Sequence, residues 1–190
     1  MYLENDKLEN ICSILENDGI ILYPTDTIWG IGCNANSDVA IQKIIDLKGR
    51  KPEKGFVVLV ESIEMLKNYI GSLHPRIETL LFHHHRPITV IYPRAQNLSK
   101  LACAPDGSVA IRIVNDEFCK ELIWASGLPL ISTSANISGQ KFPSHFGEIG
   151  SDIIQSVDYV VKYRQNDTTP TEPSVIIKMT NKKEFEFIRN

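Results

Sequence analysis

Apolar residues in this chain fall in short runs that switch between helical and strand periods, and the switches delimit the elements. Leu8, Ile11, Cys12 and Leu15 recur at helical spacing, and Gly19 stands where that helix would stop. Residues 20–23 are a continuous apolar run too short for a helix, which predicts a buried strand. Ser37 is placed to cap a helix whose apolar stripe is Ala40, Ile41, Ile44, Ile45 and Leu47. Residues 56–60 are rich in valine and predict a central strand. Ser62 opens a helix carrying Ile63, Leu66 and Ile70, and Pro75 suits the first turn of another that ends near His83, His84 and His85. Further on, residues 87–92 predict a strand, and Asp106-Gly107 turns the chain into another over 108–113. Asn115, with Asp116 and Glu117 behind it, opens a helix that Gly127 closes. Residues 128–132 and 157–161 read as strands on either side of a weaker helix over 144–155. The runs 175–179 and 184–188 form a hairpin through residues 180–183, and the Thr-, Asn- and Pro-rich stretch 164–173 reads as a mobile loop. Strands alternating with helices predict an α/β fold, its sheet mixed because of the terminal hairpin.

Length and composition narrow this further. The 190 residues suit a single domain over 1–190, and 43% apolar with 23% charged positions supplies a core without metal or disulfide staples. The net charge of −3 provides no global basic field for nucleic acid. Cys12, Cys33, Cys103 and Cys119 lie far apart with no Cys-x-x-Cys pair, so each reads as a small buried hydrophobe. The N-terminus, MYLENDKLEN, is acidic and lacks the apolar stretch of a signal peptide. No apolar run approaches the roughly 18 residues of a membrane-spanning helix. The expected setting is the reducing cytoplasm.

Four polar clusters follow, or lie within, the strand-like runs, where ligand sites of α/β sheets gather. Residues 23–32, Tyr-Pro-Thr-Asp-Thr-Ile-Trp-Gly-Ile-Gly, are either a rigid surface turn or a place where backbone approaches a ligand. Residues 48–55 hold four cations in eight positions, and Lys48 and Arg50 either grip phosphate groups or belong to a solvated loop. Arg112 interrupts an apolar run. It is a carboxylate clamp if it points into a cleft and means little if it is exposed. Residues 131–139, Ile-Ser-Thr-Ser-Ala-Asn-Ile-Ser-Gly, suit either phosphate and ribose contacts or a helix cap. P-loop, dinucleotide-binding, nucleophile-elbow and H-E-x-x-H patterns are absent. The three histidines point about 100° apart on a helix and read as a polar helix end, not as a metal site.

In this order, the clusters resemble the TsaC/YrdC threonylcarbamoyl-AMP synthases. Residues 24–32, 48–56, 87–89, 109–112 and 132–139 match five motifs of that family, with a weaker return at Pro173-Ser174 and Arg189. The resemblance implies a twisted mixed sheet with flanking helices around a deep, positively lined cavity. It implies an enzyme that joins L-threonine, bicarbonate and ATP into threonylcarbamoyl-AMP and pyrophosphate, with Mg2+ on the ATP phosphates. A separate tRNA threonylcarbamoyl transferase would receive the product. By motif position, Lys48 and Arg50 bind phosphate, and Ser134 and Asn136 complete that catalytic group. Thr27 and Arg112 hold threonine, while Thr89, Ser132, Ser174 and Arg189 line the nucleotide side. The chain departs from the family at His85-Arg86-Pro87, where Pro-Gly-Pro is usual, so the loop before Thr89 is expected to run differently. Lys51 stands where a proline is usual, and the C-terminal domain of longer relatives is not expected. Two other roles share the motifs or have been proposed for the family. One is a carbamoyl-transfer domain of the hydrogenase-maturation type. The other is a double-stranded RNA-binding module, which would leave a synthase at most a weak RNA contact.

Overall fold

The apolar runs become the strands of one sheet in a computed structural model that describes residues 6–50, 55–180 and 184–189. In chain order the elements are α1 (Leu8–Glu16), β1 (Ile21–Tyr23), β2 (Gly30–Gly32), α2 (Asp38–Lys48), β3 (Val57–Val60), α3 (Ile63–Lys67), α4 (Pro75–His83), β4 (Ile88–Tyr92), β5 (Val109–Ile113), α5 (Glu117–Ser126), β6 (Leu130–Ser134), α6 (Ser151–Ser156), β7 (Tyr159–Val160), β8 (Val175–Met179) and β9 (Phe185–Arg189). The strands lie in the order β7-β1-β2-β6-β3-β5-β4-β8-β9. Pairs β1–β7, β3–β5 and β4–β8 are parallel and the others antiparallel, so the sheet is mixed through its middle as well as at the terminal hairpin. No helix among the described residues is long and apolar enough to cross a membrane.

The caps explain most helix starts. The Ser37 hydroxyl accepts from Ala40 N–H, and that of Ser62 from Met65 N–H. α5 is capped by Asp116, whose side chain accepts from Cys119 N–H, rather than by Asn115, whose backbone N–H donates to Asp26 at 3.0 Å. α3 stops at Lys67, short of Ile70, which forms a bridge with Ala95 instead. The stretch 144–155 divides into a single turn, Phe146–Glu148, and α6. The expected hairpin connection at residues 181–183 and the cations Lys51 and Lys54 lie outside the described residues.

β2 has no local signal, since it is three residues long and two are glycine. It exists because it bridges β1 and β6, and by pairing with Thr133 and Ser134 it draws β6 two residues beyond the expected end. The fit there is close. A Cβ on Gly32 would sit 2.5 Å from both the Ile131 carbonyl oxygen and Tyr23 Cε1. Gly32→Ala is therefore expected to destabilise the fold by about 1–3 kcal/mol, the usual cost of overpacking. An unchanged chemical-denaturation midpoint would show that the β1–β2–β6 contact can give.

Register shows why a cavity forms. One face of the sheet is covered by α2, α3, α4 and α6 in a continuous core that includes Ala40, Ile41, Ile44, Leu66, Ile77 and Ile153. On the other face, α1 and α5 cover Ile21, Tyr23, Leu59 and Leu130. Leu59 lies opposite both Leu130 and Arg112, and Val57 lies opposite Ser132 and Ala110, so these residues share that second face. Past the reach of the two helices, the same face opens into a cavity at Val57, Ala110, Arg112, Ser132, Ile91 and Ile176.

Candidate functional site

The cavity encloses about 630 Å3, within the size range of small-molecule sites. Of the expected residues, Thr27, Arg50, Arg112, Ser132, Ser134, Ser174 and Arg189 line it. Lys48, Thr89 and Asn136 are not among the described lining residues but contact them or their loop: Lys48 donates to the Ser134 and Asn136 carbonyls, and the Thr89 hydroxyl meets that of Ser174. Strand alternation accounts for several placements. Ala110 and Arg112 face the cavity while Val109 and Ile111 enter the core, and Ser132 and Ser134 are likewise two apart on β6. Arg189 has a different origin. The β8–β9 register slips by one residue between Ile176↔Arg189 and Ile177↔Phe187, leaving Ile188 as the extra residue of a bulge. Such a slip re-aims side chains, and both Ile188 and Arg189 reach the cavity wall.

Arg112 answers the question its sequence position raised. It is neither exposed nor unpaired: its Nη2 lies 3.1 Å from Asp26 Oδ1, and the two side chains are only 4% and 8% exposed. Asp26, quoted in the sequence motif without a role, is thus the partner of Arg112 that sequence reasoning left unassigned. The usable signal was that a buried guanidinium needs an anion. Arg112 Nη1 donates to the Thr27 hydroxyl at 3.0 Å, while its Nε has no hydrogen-bond partner among the described residues. That Nε is itself buried, so the guanidinium carries one unsatisfied donor beneath the cavity wall.

Thr27 is oriented just as closely. The Thr25 hydroxyl donates to the Ile28 carbonyl at 2.9 Å and accepts from Thr27 N–H at 3.0 Å. Its single proton is spent, so in the 2.9 Å contact between the two hydroxyls it is Thr27 that donates. Thr27 then receives Arg112 on one lone pair and keeps the other for a donor from a ligand. Together Thr27 and Arg112 offer an acceptor beside a guanidinium, which suits an amino acid's hydroxyl or amine next to its carboxylate.

The cavity holds two further cations, Arg50 and Arg189. Arg50 donates to the Gly55 carbonyl at 2.7 Å and lies 4.4 Å over the Phe56 ring. Arg189 Nε and Nη2 donate to the Ser174 carbonyl at 3.0 and 2.8 Å, and the Ser174 hydroxyl contacts that of Thr89 at 2.7 Å. Burial, and then the charge of Arg112, lowers the Arg189 pKa, and burial lowers that of Arg50. Cations destabilised by burial and by one another gain most when an anion enters. Lys48 is buried at the end of α2, and its ammonium donates to the carbonyls of Ser134 and Asn136, tying the 134–136 loop to the helix. Its pKa is lowered to about 8 by burial and by the neighbouring Arg50. The Asn136 amide donates to the Ile137 and Gln140 carbonyls, at 3.1 and 2.7 Å.

Two further expectations meet the geometry. Arg86 does not take a positive φ, and the loop ends in β4 with Thr89 facing Ser174. Cys12, Cys33 and Cys119 are buried and Cys103 half-buried, all four as free thiols.

Residues 13–190 match the model of the Sua5/YciO/YrdC family, described as telomere recombination. The chain belongs to this family. Among curated Sua5/YciO/YrdC relatives, the threonylcarbamoyl-AMP synthase of Psychromonas ingrahamii is 37% identical over 141 residues, covering 73% of this chain and 74% of its own length. That of Idiomarina loihiensis is 30% identical over 170 residues, covering 88% and 90%. Among solved structures, P. abyssi Sua5 complexed with L-threonine superposes with a TM-score of 0.88 at 22% identity. It covers 100% of this chain, which spans just over half (55%) of that longer one.

Proposed function

We infer that this chain joins L-threonine, bicarbonate and ATP into threonylcarbamoyl-AMP and pyrophosphate. One observation carries the reading: Arg50, Arg112 and Arg189 open onto a single cavity together with the hydroxyls of Thr27, Ser132, Ser134 and Ser174. The synthase names of the relatives support it. They give no support to the RNA-binding or hydrogenase-maturation readings.

Threonine lies against Thr27 and Arg112, its carboxylate on the guanidinium. Its amine and bicarbonate give a carbamate, with loss of water. A carbamate oxygen attacks the α-phosphorus, the bond to the bridging oxygen breaks, and pyrophosphate leaves with the electron pair. The chain's residues supply position and positive charge, which is what phosphoryl-group chemistry asks of a protein. Arg50 and Arg189 neutralise the phosphates, while Lys48 holds the 134–136 loop and adds a charge behind it. Among the described lining residues none carries a carboxylate, so a magnesium ion would be held mainly by the ATP phosphates and would supply charge there. The product, a mixed anhydride, passes to a transferase acting on tRNA.

Incubation with ATP, magnesium, bicarbonate and L-threonine is expected to release pyrophosphate and to yield threonylcarbamoyl-AMP by mass spectrometry. ADP and phosphate as products, or release that ignores threonine, would refute the assignment.

A further inference from the structure

We propose that Arg164 is a positioning residue for the amino-acid side of the cavity, acting through the loop that carries Thr25, Asp26 and Thr27. The proposal rests on the synthase reading and adds a residue outside the cavity to it.

Arg164 has a backbone φ of 62°, in the left-handed region that arginine adopts rarely. Conformations of this kind persist where surrounding contacts over-determine them, and they cluster at functional sites. Three side-chain contacts hold this one. Nη1 donates to the Thr25 carbonyl at 3.2 Å and pairs with Asp116 Oδ2 at 3.2 Å, while Nε pairs with Asp167 Oδ2 at 3.3 Å.

Each contact leads toward the site. Thr25 is the hub that orients Thr27, and Thr27 receives Arg112. Asp116 follows Asn115, whose backbone N–H holds Asp26, the anion of the Arg112 pair. Arg164 therefore bridges the two segments that converge on Arg112: the loop after β1 and the junction between β5 and α5. The seam it closes is tight. The pocket that residues 164–171 form with residues 24–29 and with Ser144 and His145 holds only about 10 Å3, room for roughly one water. The same segment then runs on to Ser174 in the opposite wall. The hydrogen bonds and ion pairs of the Arg164 side chain among the described residues go to Thr25, Asp116 and Asp167 and not to Arg50, Arg189 or Ser174, so its influence falls on threonine rather than on ATP.

Arg164→Gly tests this, because glycine takes the left-handed backbone without strain and only the side-chain ties are lost. The KM for L-threonine is expected to rise about ten-fold or more, the weight of one hydrogen bond from a charged donor. The KM for ATP should stay within about two-fold and the melting temperature within a few degrees. Asp116→Asn keeps a cap for α5 but loses the charge that fixes Arg164, and should shift threonine the same way. Combined, the two changes should add little to either alone, as expected for members of one network. An unchanged threonine KM in Arg164→Gly would overturn the proposal, as would a parallel rise in both KM values with a fall in melting temperature. A wild-type protein without threonine-dependent pyrophosphate release would instead remove the synthase reading, and this proposal with it.

Discussion

Arg112→Ala is expected to cost both folding stability and threonine dependence, and a second variant should separate the two losses. The guanidinium is the counter-ion of Asp26 in a pair only 4% and 8% exposed. Removing one partner of a buried pair leaves an uncompensated charge, which typically costs about 3–5 kcal/mol. Adding Asp26→Asn removes that charge and should restore part of the stability. Threonine-dependent turnover should stay lost, because the group that meets the carboxylate is still missing. Arg112→Lys distinguishes the roles more gently. With a substrate carboxylate as the only partner, the melting temperature would hardly move. With Asp26 as a standing partner it is expected to fall, since one ammonium cannot satisfy Asp26 and Thr27 in the arginine's geometry. Threonine affinity should drop about 10- to 150-fold, the equivalent of roughly 1.5–3 kcal/mol for hydrogen bonds to charged groups. Calorimetry beside a thermal melt reads both quantities. If neither changes in the lysine variant, Arg112 is not the threonine clamp.

Lys48→Ala should reduce turnover on the order of 10²-fold or more, typical of a group that stabilises charge redistributed in the transition state. Sequence reasoning alone expects turnover to fall much more than folding stability. The structure changes that expectation, because the Lys48 ammonium is the donor for the carbonyls of Ser134 and Asn136. Without it, each half-buried carbonyl loses a donor, although that of Ser134 keeps the Asn136 N–H, so stability falls as well, by up to about 1–3 kcal/mol. Arg50→Ala removes a cavity-facing cation and is expected to spare more of the stability.

The proton on Lys48 gives an independent reading. Its pKa stands at about 8, lowered by burial first and by Arg50 second. Below that pH the group is charged and adds to the positive field of the cavity; above it that charge is lost. For the free enzyme, kcat/KM for ATP should therefore fall as pH rises through about 8. Bound phosphate favours the ammonium, so the corresponding limb in kcat should move to higher pH. A kcat/KM profile flat across this range would show that Lys48 carries no charge into phosphate binding.

Local chemistry made much of the fold legible. Caps at Ser37 and Ser62, the glycine stop at Gly127 and the apolar runs of β1, β3, β4, β5 and β8 depend on residues within a few positions of one another. The order of the motifs similarly exposed most of the residues that line the cavity. Their partners were not legible. Thr27 meets Arg112 and Thr89 meets Ser174 across 85 residues, and Lys48 meets the Ser134 carbonyl across 86. β2 is a strand only because β1 and β6 flank it. Arg189 reaches the wall through a one-residue slip of register, and no side-chain pattern marks such a slip. Whether Arg112 faced solvent, substrate or a protein carboxylate was likewise undecided by a strand that alternates the same way in each case. Sequence by itself determined which residues needed partners, because the cost of burying a charge or leaving a backbone group unpaired belongs to the residue. Tertiary structure decided which partners they found, because only the order and register of the strands bring distant segments within hydrogen-bond reach.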